Sequence, residues 1–400
     1  MAITKLPPLS MYIHVPWCVR KCPYCDFNSH AVKNVIPEEA YVDALLEDLS
    51  QQIPSVWGRQ LVSIFIGGGT PSLFSPQSYE KLFSGIRALI PFQQDIEITM
   101  EANPGTAEAE KFAGFIEAGI NRISIGVQSF NDKHLHSLGR IHSANEAEKA
   151  YQIARDAGCK NINLDLMYAL PNQSLEESLD DLKRAIALSP EHLSWYQLTL
   201  EPNTLFYHQP PTLPKESVMD DIAEQGLALI ESSGYKRYEI SAYSREGKKP
   251  STHNLNYWRF GDYLGIGAGA HGKITRSDEQ SIKRISKKRS PKDYLDSSKP
   301  FIDSSKVISQ QELPLEFMMN AMRLKEGVEK ESFFEHSGLL LSQIQKQISE
   351  AQELGLIELT DKKIKPSERG YLFLNELLEH FMPENFPELD NTKQITIKQL

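Results

Sequence analysis

The feature that most constrains the fold is a series of strand-like and helix-like stretches that alternate through the first half of the 400-residue chain. The run at residues 61–66 is almost continuously apolar, which is typical of a strand buried on both faces of a parallel sheet. Strands followed by helices in series predict parallel strands joined by right-handed crossovers. Polar residues stand at the carboxyl end of strand after strand, which favours a complete or partial (β/α) barrel over an open doubly wound sheet. The six predicted strands lie at residues 11–17, 61–66, 96–103, 121–130, 161–170 and 192–200.

The length of the chain predicts a large α/β domain followed by a smaller one. We expect a barrel core at residues 1–272, a polar connector at 273–312, a C-terminal domain at 313–382 and a tail at 383–400. The C-terminal domain is expected to be mainly helical and winged-helix-like. Such a layout can bind DNA, but the net charge of −10 and the lack of a basic recognition helix argue for a packing domain and against nucleic acid as a partner.

Composition also bears on location. No stretch approaches the roughly 18 apolar residues of a membrane helix, so we do not expect an integral membrane protein. The first ten residues lack the features of a signal peptide, and three of the four cysteines are clustered, as in proteins of a reducing compartment. We therefore predict a cytoplasmic protein. A homodimer is compatible with the sequence.

Three cysteines, Cys18, Cys22 and Cys25, follow the first predicted strand in a C-x3-C-x2-C array. Three thiolates on one tight loop can hold three irons of a [4Fe-4S] cube and leave the fourth iron open. His14 or His30 could instead complete a zinc site. The fourth cysteine lies far away in sequence, at position 159, and is interpreted as a core residue.

The motifs around these cysteines resemble those of a known family. YIHVPWCVRKCPYCDF at residues 12–27 is followed by GGGTP at 67–71, EANP at 101–104 and GVQSFN at 126–131. Together they resemble the radical S-adenosylmethionine (SAM) proteins of the oxygen-independent coproporphyrinogen III oxidase family, over nearly the whole chain. The resemblance implies a radical SAM partial barrel that carries a [4Fe-4S] cluster, with SAM at the open iron.

Two details of the resemblance bear on function. The oxidases carry a further cysteine at the position of Phe27, whereas an HNxxYW motif, here at residues 253–258, marks a branch of the family that carries heme. The expected function is a heme chaperone that binds heme, the cluster and SAM, and transfers heme to acceptor hemoproteins. The alternative is an enzyme of porphyrin metabolism that oxidatively decarboxylates coproporphyrinogen III to protoporphyrinogen IX. A zinc-loop module with a winged helix is the third reading, and whether the chain is an enzyme stays open.

Polar and glycine residues at the strand ends are the candidates for SAM binding. The glycines at 67–69 can bring the backbone close to a ligand and offer N–H groups to it. Carboxylates such as Glu101 on apolar strands should have cationic or hydrogen-bonding partners, and we expect these side chains to share one cavity. By resemblance, the SAM-binding residues are Tyr12, Tyr24, Gly68, Gly69, Thr70, Glu101, Gln128, Arg140 and Asp165.

His253, Tyr257 and Trp258 of the HNxxYW motif are the heme-binding candidates. A neutral imidazole is a common ligand of heme iron, and aromatic rings can cover a porphyrin face. A histidine among aromatic residues is more often a hydrogen-bonded core residue than a ligand. The resemblance makes the two interpretations of His253 about equally favoured. His271 is a second candidate, with a pocket-lining role preferred for it.

Overall fold

A computed structural model describes residues 3–105 and 109–383, so the predicted tail, apart from its first residue, lies outside the described residues. The strands in chain order are β1 (Leu9–Val15), β2 (Trp17–Cys18), β3 (His30–Ala31), β4 (Leu61–Gly68), β5 (Phe92–Ala102), β6 (Arg122–Gln128), β7 (Ile162–Tyr168), β8 (His192–Gln197), β9 (Tyr235–Glu239), β10 (Ala242–Arg245), β11 (Asp262–Ile266), β12 (His271–Arg276), β13 (Ser281–Lys287), β14 (Ile302–Val307), β15 (Val328–Glu329), β16 (Ile357–Leu359) and β17 (Lys363–Pro366).

The α-helices of the described ranges are α1 (Glu38–Gln52), α2 (Pro76–Leu89), α3 (Phe112–Ala118), α4 (Asp132–Ser137), α5 (Ala144–Asp156), α6 (Leu175–Leu188), α7 (Leu205–His208), α8 (Glu216–Ser232), α9 (Thr252–Trp258), α10 (Pro291–Tyr294), α11 (Leu313–Ala321), α12 (Lys330–Ser337), α13 (Gln345–Glu353), α14 (Glu368–Leu372) and α15 (Leu374–Glu379). Short 3-10 helices lie at Ile53–Ser55, Pro71–Leu73 and Leu341–Ile344. In these parts of the chain, no helix combines the length and the apolar character that crossing a membrane requires.

One sheet of twelve strands dominates the molecule, in the order β14-β13-β12-β11-β1-β4-β5-β6-β7-β8-β10-β9. The seven strands from β11 to β8 in this order are parallel. The six predicted strands correspond to β1 and β4 to β8, each beside the next one along the chain, as βα crossovers require. The order has two end strands in the described part of the chain, so the barrel is partial, and the predicted fold class is confirmed.

Local sequence explains why the helices between these strands begin where they do. Ser143 and Glu146 form a capping box at the start of α5, and Ser174 and Glu177 form another at the start of α6. In each box the serine oxygen accepts a bond from a backbone N–H of the first turn, and the glutamate accepts one from the serine N–H. These caps fix where two helices that pack against the sheet begin.

Residues 273–312, predicted as a polar connector, are instead part of the large sheet. This segment supplies β12, β13 and β14, which extend the large sheet by antiparallel pairing. Two of its lysines are buried: Lys273 forms an ion pair with Asp262 at 3.0 Å, and Lys287 forms one with Asp48 of α1. These two lysines therefore lie inside the fold, where carboxylates distant in sequence neutralise them, while other charged residues of the segment stay exposed.

Two further segments complete the fold around the barrel. Residues 235–245 contain the antiparallel hairpin of β9 and β10. The HNxxYW segment lies in helix α9, whose start is capped by the hydroxyl of Ser251.

The C-terminal part contains helices α11 to α15 and a three-stranded antiparallel sheet in the order β15-β17-β16. This alternation of helices with a small β wing is the predicted winged-helix-like layout. Its core includes Phe317 and Phe333, and the same cluster takes in Tyr257 and Trp258 of α9. The limits proposed for this domain stay a prediction, but α9 clearly packs between the barrel and the C-terminal helices.

Candidate cofactor site at the carboxyl ends of the strands

Cys18 ends β2, and Cys22 and Cys25 lie on the loop that connects β2 to β3. The loop is closed at its base by hydrogen bonds from the N–H of His30 to the carbonyl of Pro16 (2.7 Å) and from the N–H of Val32 to that of Cys18 (2.9 Å). Burial raises the pKa of the Cys18 and Cys25 thiols above the ordinary value. A bound metal would reverse that effect, because its positive charge stabilises the thiolate.

The two histidines considered for a zinc site are not arranged for it. Both ring nitrogens of His14 are engaged, Nδ1 with the Tyr12 hydroxyl at 2.9 Å and Nε2 with the carbonyl of Asn28 at 3.0 Å. His30 is exposed on β3. Among the residues with described positions, no three His, Cys, Asp or Glu side chains converge so as to hold a single metal ion. A cube needs no such convergence, since each thiolate binds a different iron, so the donor set fits a [4Fe-4S] cluster better than zinc.

The glycine turn after β4 does not offer its N–H groups to a ligand, contrary to expectation. The N–H of Gly68 donates to Glu101 Oε2 (3.1 Å), and those of Gly69 and Thr70 donate to carbonyls of the segment that leads into the cysteine loop (both 2.7 Å). A Cβ at Gly68 would lie 2.3 Å from the ring of His14. The glycines therefore let the turn pack against the cysteine loop, and a ligand ammonium group, as a donor, would have to use carbonyl oxygens here.

Two carboxylates, those of Glu101 and Asp165, interact electrostatically inside the barrel. Burial, and secondly the charge of Asp165, raises the pKa of Glu101 to about 7. Burial also raises the pKa of Asp165, although its carboxylate accepts hydrogen bonds from Ser124 and Asn163, both at 2.8 Å. A pair of buried acids of like charge favours a cationic ligand, because a positive charge between them offsets both their repulsion and their desolvation.

Arg140 connects the cysteine loop to the strand ends. Its Nη2 donates to the Asn103 side chain (2.7 Å) and to the carbonyl of Gly126 (2.8 Å), and its Nη1 lies 3.8 Å from Cys22 Sγ. Asn103 in turn donates to the hydroxyl of Thr70 at 2.9 Å. The buried Nε of Arg140 has no hydrogen-bond partner among the described residues, which leaves a donor for a carboxylate. Sequence reasoning missed Asn103 as a site residue, although it lies within the EANP motif.

The remaining predicted SAM residues lie at the same end of the barrel. Tyr12 is next to Glu101 and His14, and Tyr24 lies beside Arg140 and Cys22, with its ring 6.4 Å from that of Phe206. Gln128 ends β6 and accepts a hydrogen bond from Tyr196. The predicted SAM residues are thus connected through hydrogen bonds and charge interactions that extend from the cysteine loop to Asp165, and SAM binding by them stays a prediction.

The heme candidates lie at the opposite end of the barrel. His253 Nδ1 bonds the hydroxyl of Ser63, near the start of β4, at 2.9 Å, and Glu97 accepts hydrogen bonds from the N–H groups at the start of α9. Ser63 precedes Gly68 by five residues, or roughly 16 Å of strand. His253 is 1% exposed, and within the part of the chain that the structure describes its Nε2 has no hydrogen-bond partner.

Tyr257 and Trp258 are buried as well, at 8% and 5% exposure. Tyr257 packs edge-on to His253, whereas Trp258 lies 4.3 Å from the guanidinium of Arg323 in the C-terminal part. His271 is exposed at the start of β12. The motif therefore closes the amino end of the barrel and joins it to the C-terminal helices, and heme ligation by His253 stays a prediction that requires α9 to move.

Comparison with known proteins assigns the chain to a family. The Radical SAM superfamily profile matches residues 12–185, and the HemN C-terminal domain profile matches residues 308–373. The chain is 53% identical over 384 residues to the heme chaperone HemW of Haemophilus influenzae, covering 95% of this chain and 99% of that relative. The chain belongs to the HemW family. The HemW of Escherichia coli is 50% identical, with 96% of this chain and 100% of the relative covered.

A solved structure supports the fold of this HemW family member. The coproporphyrinogen III oxidase HemN of Escherichia coli superposes with a TM-score of 0.80 over 95% of this chain and 91% of the HemN chain. The two sequences are 22% identical, so the likeness establishes the fold alone. Membership of the radical SAM superfamily implies a [4Fe-4S] cluster and SAM, as the cysteine array predicted.

Proposed function

We propose that the protein is a heme chaperone that binds a [4Fe-4S] cluster, SAM and heme, and transfers heme to acceptor hemoproteins. The observation that carries this proposal is the identity of 53% and 50%, over nearly the full length, with two proteins named heme chaperone HemW. We further propose that it acts in the cytoplasm. A homodimer stays a prediction.

In this proposal Cys18, Cys22 and Cys25 hold three irons of the cluster. When bound, such a cluster supplies an electron to the sulfonium of SAM at its open iron. Glu101 and Asp165 provide the negative charge that complements the ammonium and sulfonium groups of SAM. Arg140, held by Asn103 and Gly126, directs its unpartnered Nε–H toward the SAM carboxylate.

The heme site requires a separate test, because His253 is buried. We propose that a movement of α9 exposes Nε2 of His253 to the iron. His253→Ala then weakens heme binding and changes the heme absorption spectrum, while the cluster spectrum is retained. Ser63→Ala is the matched control: it removes the hydrogen bond to Nδ1 and keeps the imidazole. Equal loss of heme in both variants would assign His253 to packing of α9, and unchanged heme affinity of His253→Ala would reject ligation.

The alternative activity is tested directly with the cluster-loaded protein. We would reconstitute it anaerobically, add SAM, a reductant and coproporphyrinogen III, and follow protoporphyrinogen IX by chromatography beside a heme titration. Stoichiometric heme binding without product supports the chaperone. Multiple turnovers to protoporphyrinogen IX would replace it with the oxidase, and would mean that Phe27 is tolerated where the oxidases have cysteine.

A further inference from the structure

Tyr196 lies inside the cofactor site, although nothing in the sequence motifs points to it. It is on β8, where His192, Ser194 and Tyr196 alternate toward the barrel interior. Its hydroxyl donates to Gln128 Oε1 at 2.8 Å. Its ring packs against the small apolar cluster that also supports Tyr24 of the cysteine loop.

The surroundings of the Tyr196 hydroxyl keep it protonated. Burial, and then the charge of Asp165, raises its pKa well above the ordinary value for tyrosine. Tyr24, Arg140 and Glu101 also act on it electrostatically, so the phenol is close to the predicted SAM contacts. A permanently protonated phenol is a dependable donor to the Gln128 carbonyl oxygen.

Gln128 is a residue whose side chain needs such support. It has a φ of 68°, in the left-handed region that residues other than glycine rarely adopt, and a bulge interrupts the pairing of β6 with β7 just before it. A Cβ at Gly126 would lie 2.9 Å from Gln128 Nε2 and 3.5 Å from Arg140 Nη2. The amide NH2 group thus lies over Gly126, beside the guanidinium that the proposed function assigns to the SAM carboxylate.

We propose that Tyr196 is a positioning residue for SAM: by holding Oε1 of Gln128 it keeps the amide NH2 group turned toward acceptor atoms of the bound SAM. This inference rests on the proposed binding of SAM. Without the hydroxyl the amide of Gln128 can rotate, and its donors are no longer preorganised for the ligand. Tyr196 acts through Gln128, so its effect should vanish when the amide is absent.

The test is a double-mutant cycle of SAM affinity, measured by equilibrium dialysis on cluster-loaded protein. Tyr196→Phe, which removes one oxygen, should raise the Kd for SAM about three- to tenfold, as expected for one neutral hydrogen bond. In the Gln128→Ala background the same change should alter the Kd less than about twofold. Tyr207→Phe is the control, because this exposed tyrosine is on α7 at the same end of the barrel.

The possible outcomes separate the two proposals. A wild-type protein that binds SAM, together with a Tyr196→Phe variant of unchanged Kd, would overturn the role of Tyr196 and leave the proposed function standing. A loss that is equal with and without the Gln128 amide would also overturn it, since it would show a general effect on packing, which thermal melting of each variant would register. A cluster-loaded wild-type protein that fails to bind SAM would reject both proposals.

Discussion

Replacing Glu101 by glutamine should make the SAM-free protein more stable at pH 8, while weakening its binding of SAM. Burial and the neighbouring Asp165 raise the pKa of Glu101 to about 7 from an ordinary value of 4.5. An ionised Glu101 therefore destabilises the folded state. Glutamine keeps an oxygen that can accept the hydrogen bond from the N–H of Gly68 and removes the charge.

The size of the effect follows from the pKa. At about 1.4 kcal/mol for each unit of pKa, the ionised carboxylate costs at most about 3.5 kcal/mol, and solvent in the cavity reduces this figure to about 3 kcal/mol or less. Between the unfolded pKa and about pH 7 the unfolded state binds fewer protons than the folded state, so stability falls as pH rises. Glu101→Gln should match the wild type near pH 4 and exceed it by up to about 3 kcal/mol at pH 8.

The assay is urea unfolding of the cluster-loaded protein without SAM, at several values between pH 4 and pH 8, with SAM affinity measured in parallel. We expect the stability difference between variant and wild type to grow with pH and to level off above pH 7. A Glu101→Gln variant that is less stable than the wild type at pH 8 would refute the reasoning, because it would mean that a cation already compensates the carboxylate.

Three further predictions concern other parts of the fold and site. Lys287→Ala should destabilise the protein by about 3–5 kcal/mol in urea unfolding, because it leaves the buried carboxylate of Asp48 without its ion-pair partner. The control Lys288→Ala breaks a half-exposed ion pair and should cost less than about 1 kcal/mol. Equal losses of stability in the two variants would contradict the buried ion pair. Arg140→Lys should weaken SAM binding at least about tenfold in equilibrium dialysis, because a lysine does not reproduce the forked contacts of the guanidinium, and retained affinity would exclude that role. Cys22→Ala should abolish the visible absorbance of the cluster after anaerobic reconstitution, and full absorbance would refute cluster binding by this loop.

The core of the fold could be read from the sequence because buried parallel strands and capped helices leave local signals. The predicted strand at 61–66 corresponds to β4, and the capping boxes at the starts of α5 and α6 are local signals of the same kind. The strands β12 to β14 gave no such signal. Their buried lysines, Lys273 and Lys287, look like surface charges until the distant Asp262 and Asp48 are placed beside them. Ion pairs between residues such as Lys287 and Asp48 form only in the folded chain, so local sequence patterns do not reveal them.

The residues of the candidate site also fall into two groups, those that the sequence motifs predicted and those that they did not. Motif residues such as Glu101 and Arg140 could be named in advance, and the structure brings them together. Asn103 lies within a recognised motif and was overlooked, whereas Tyr196 could not be named, since its contact with Gln128 arises only in the folded barrel. The HNxxYW motif made His253 a heme-binding candidate beside a core interpretation, and in the structure His253 is bonded to Ser63 and buried. Composition does not reveal whether a histidine among aromatic residues faces a ligand or the core.

The most direct test of heme transfer is the rate at which a heme-loaded protein passes heme to a heme-free b-type hemoprotein, followed by the shift of the Soret band. A chaperone that hands over heme in a complex should transfer at a rate that rises with acceptor concentration, and that exceeds the rate of heme loss to an unrelated heme scavenger. A transfer rate that is independent of acceptor concentration and equal to the loss to the scavenger would contradict the account, because heme would then simply dissociate into solution.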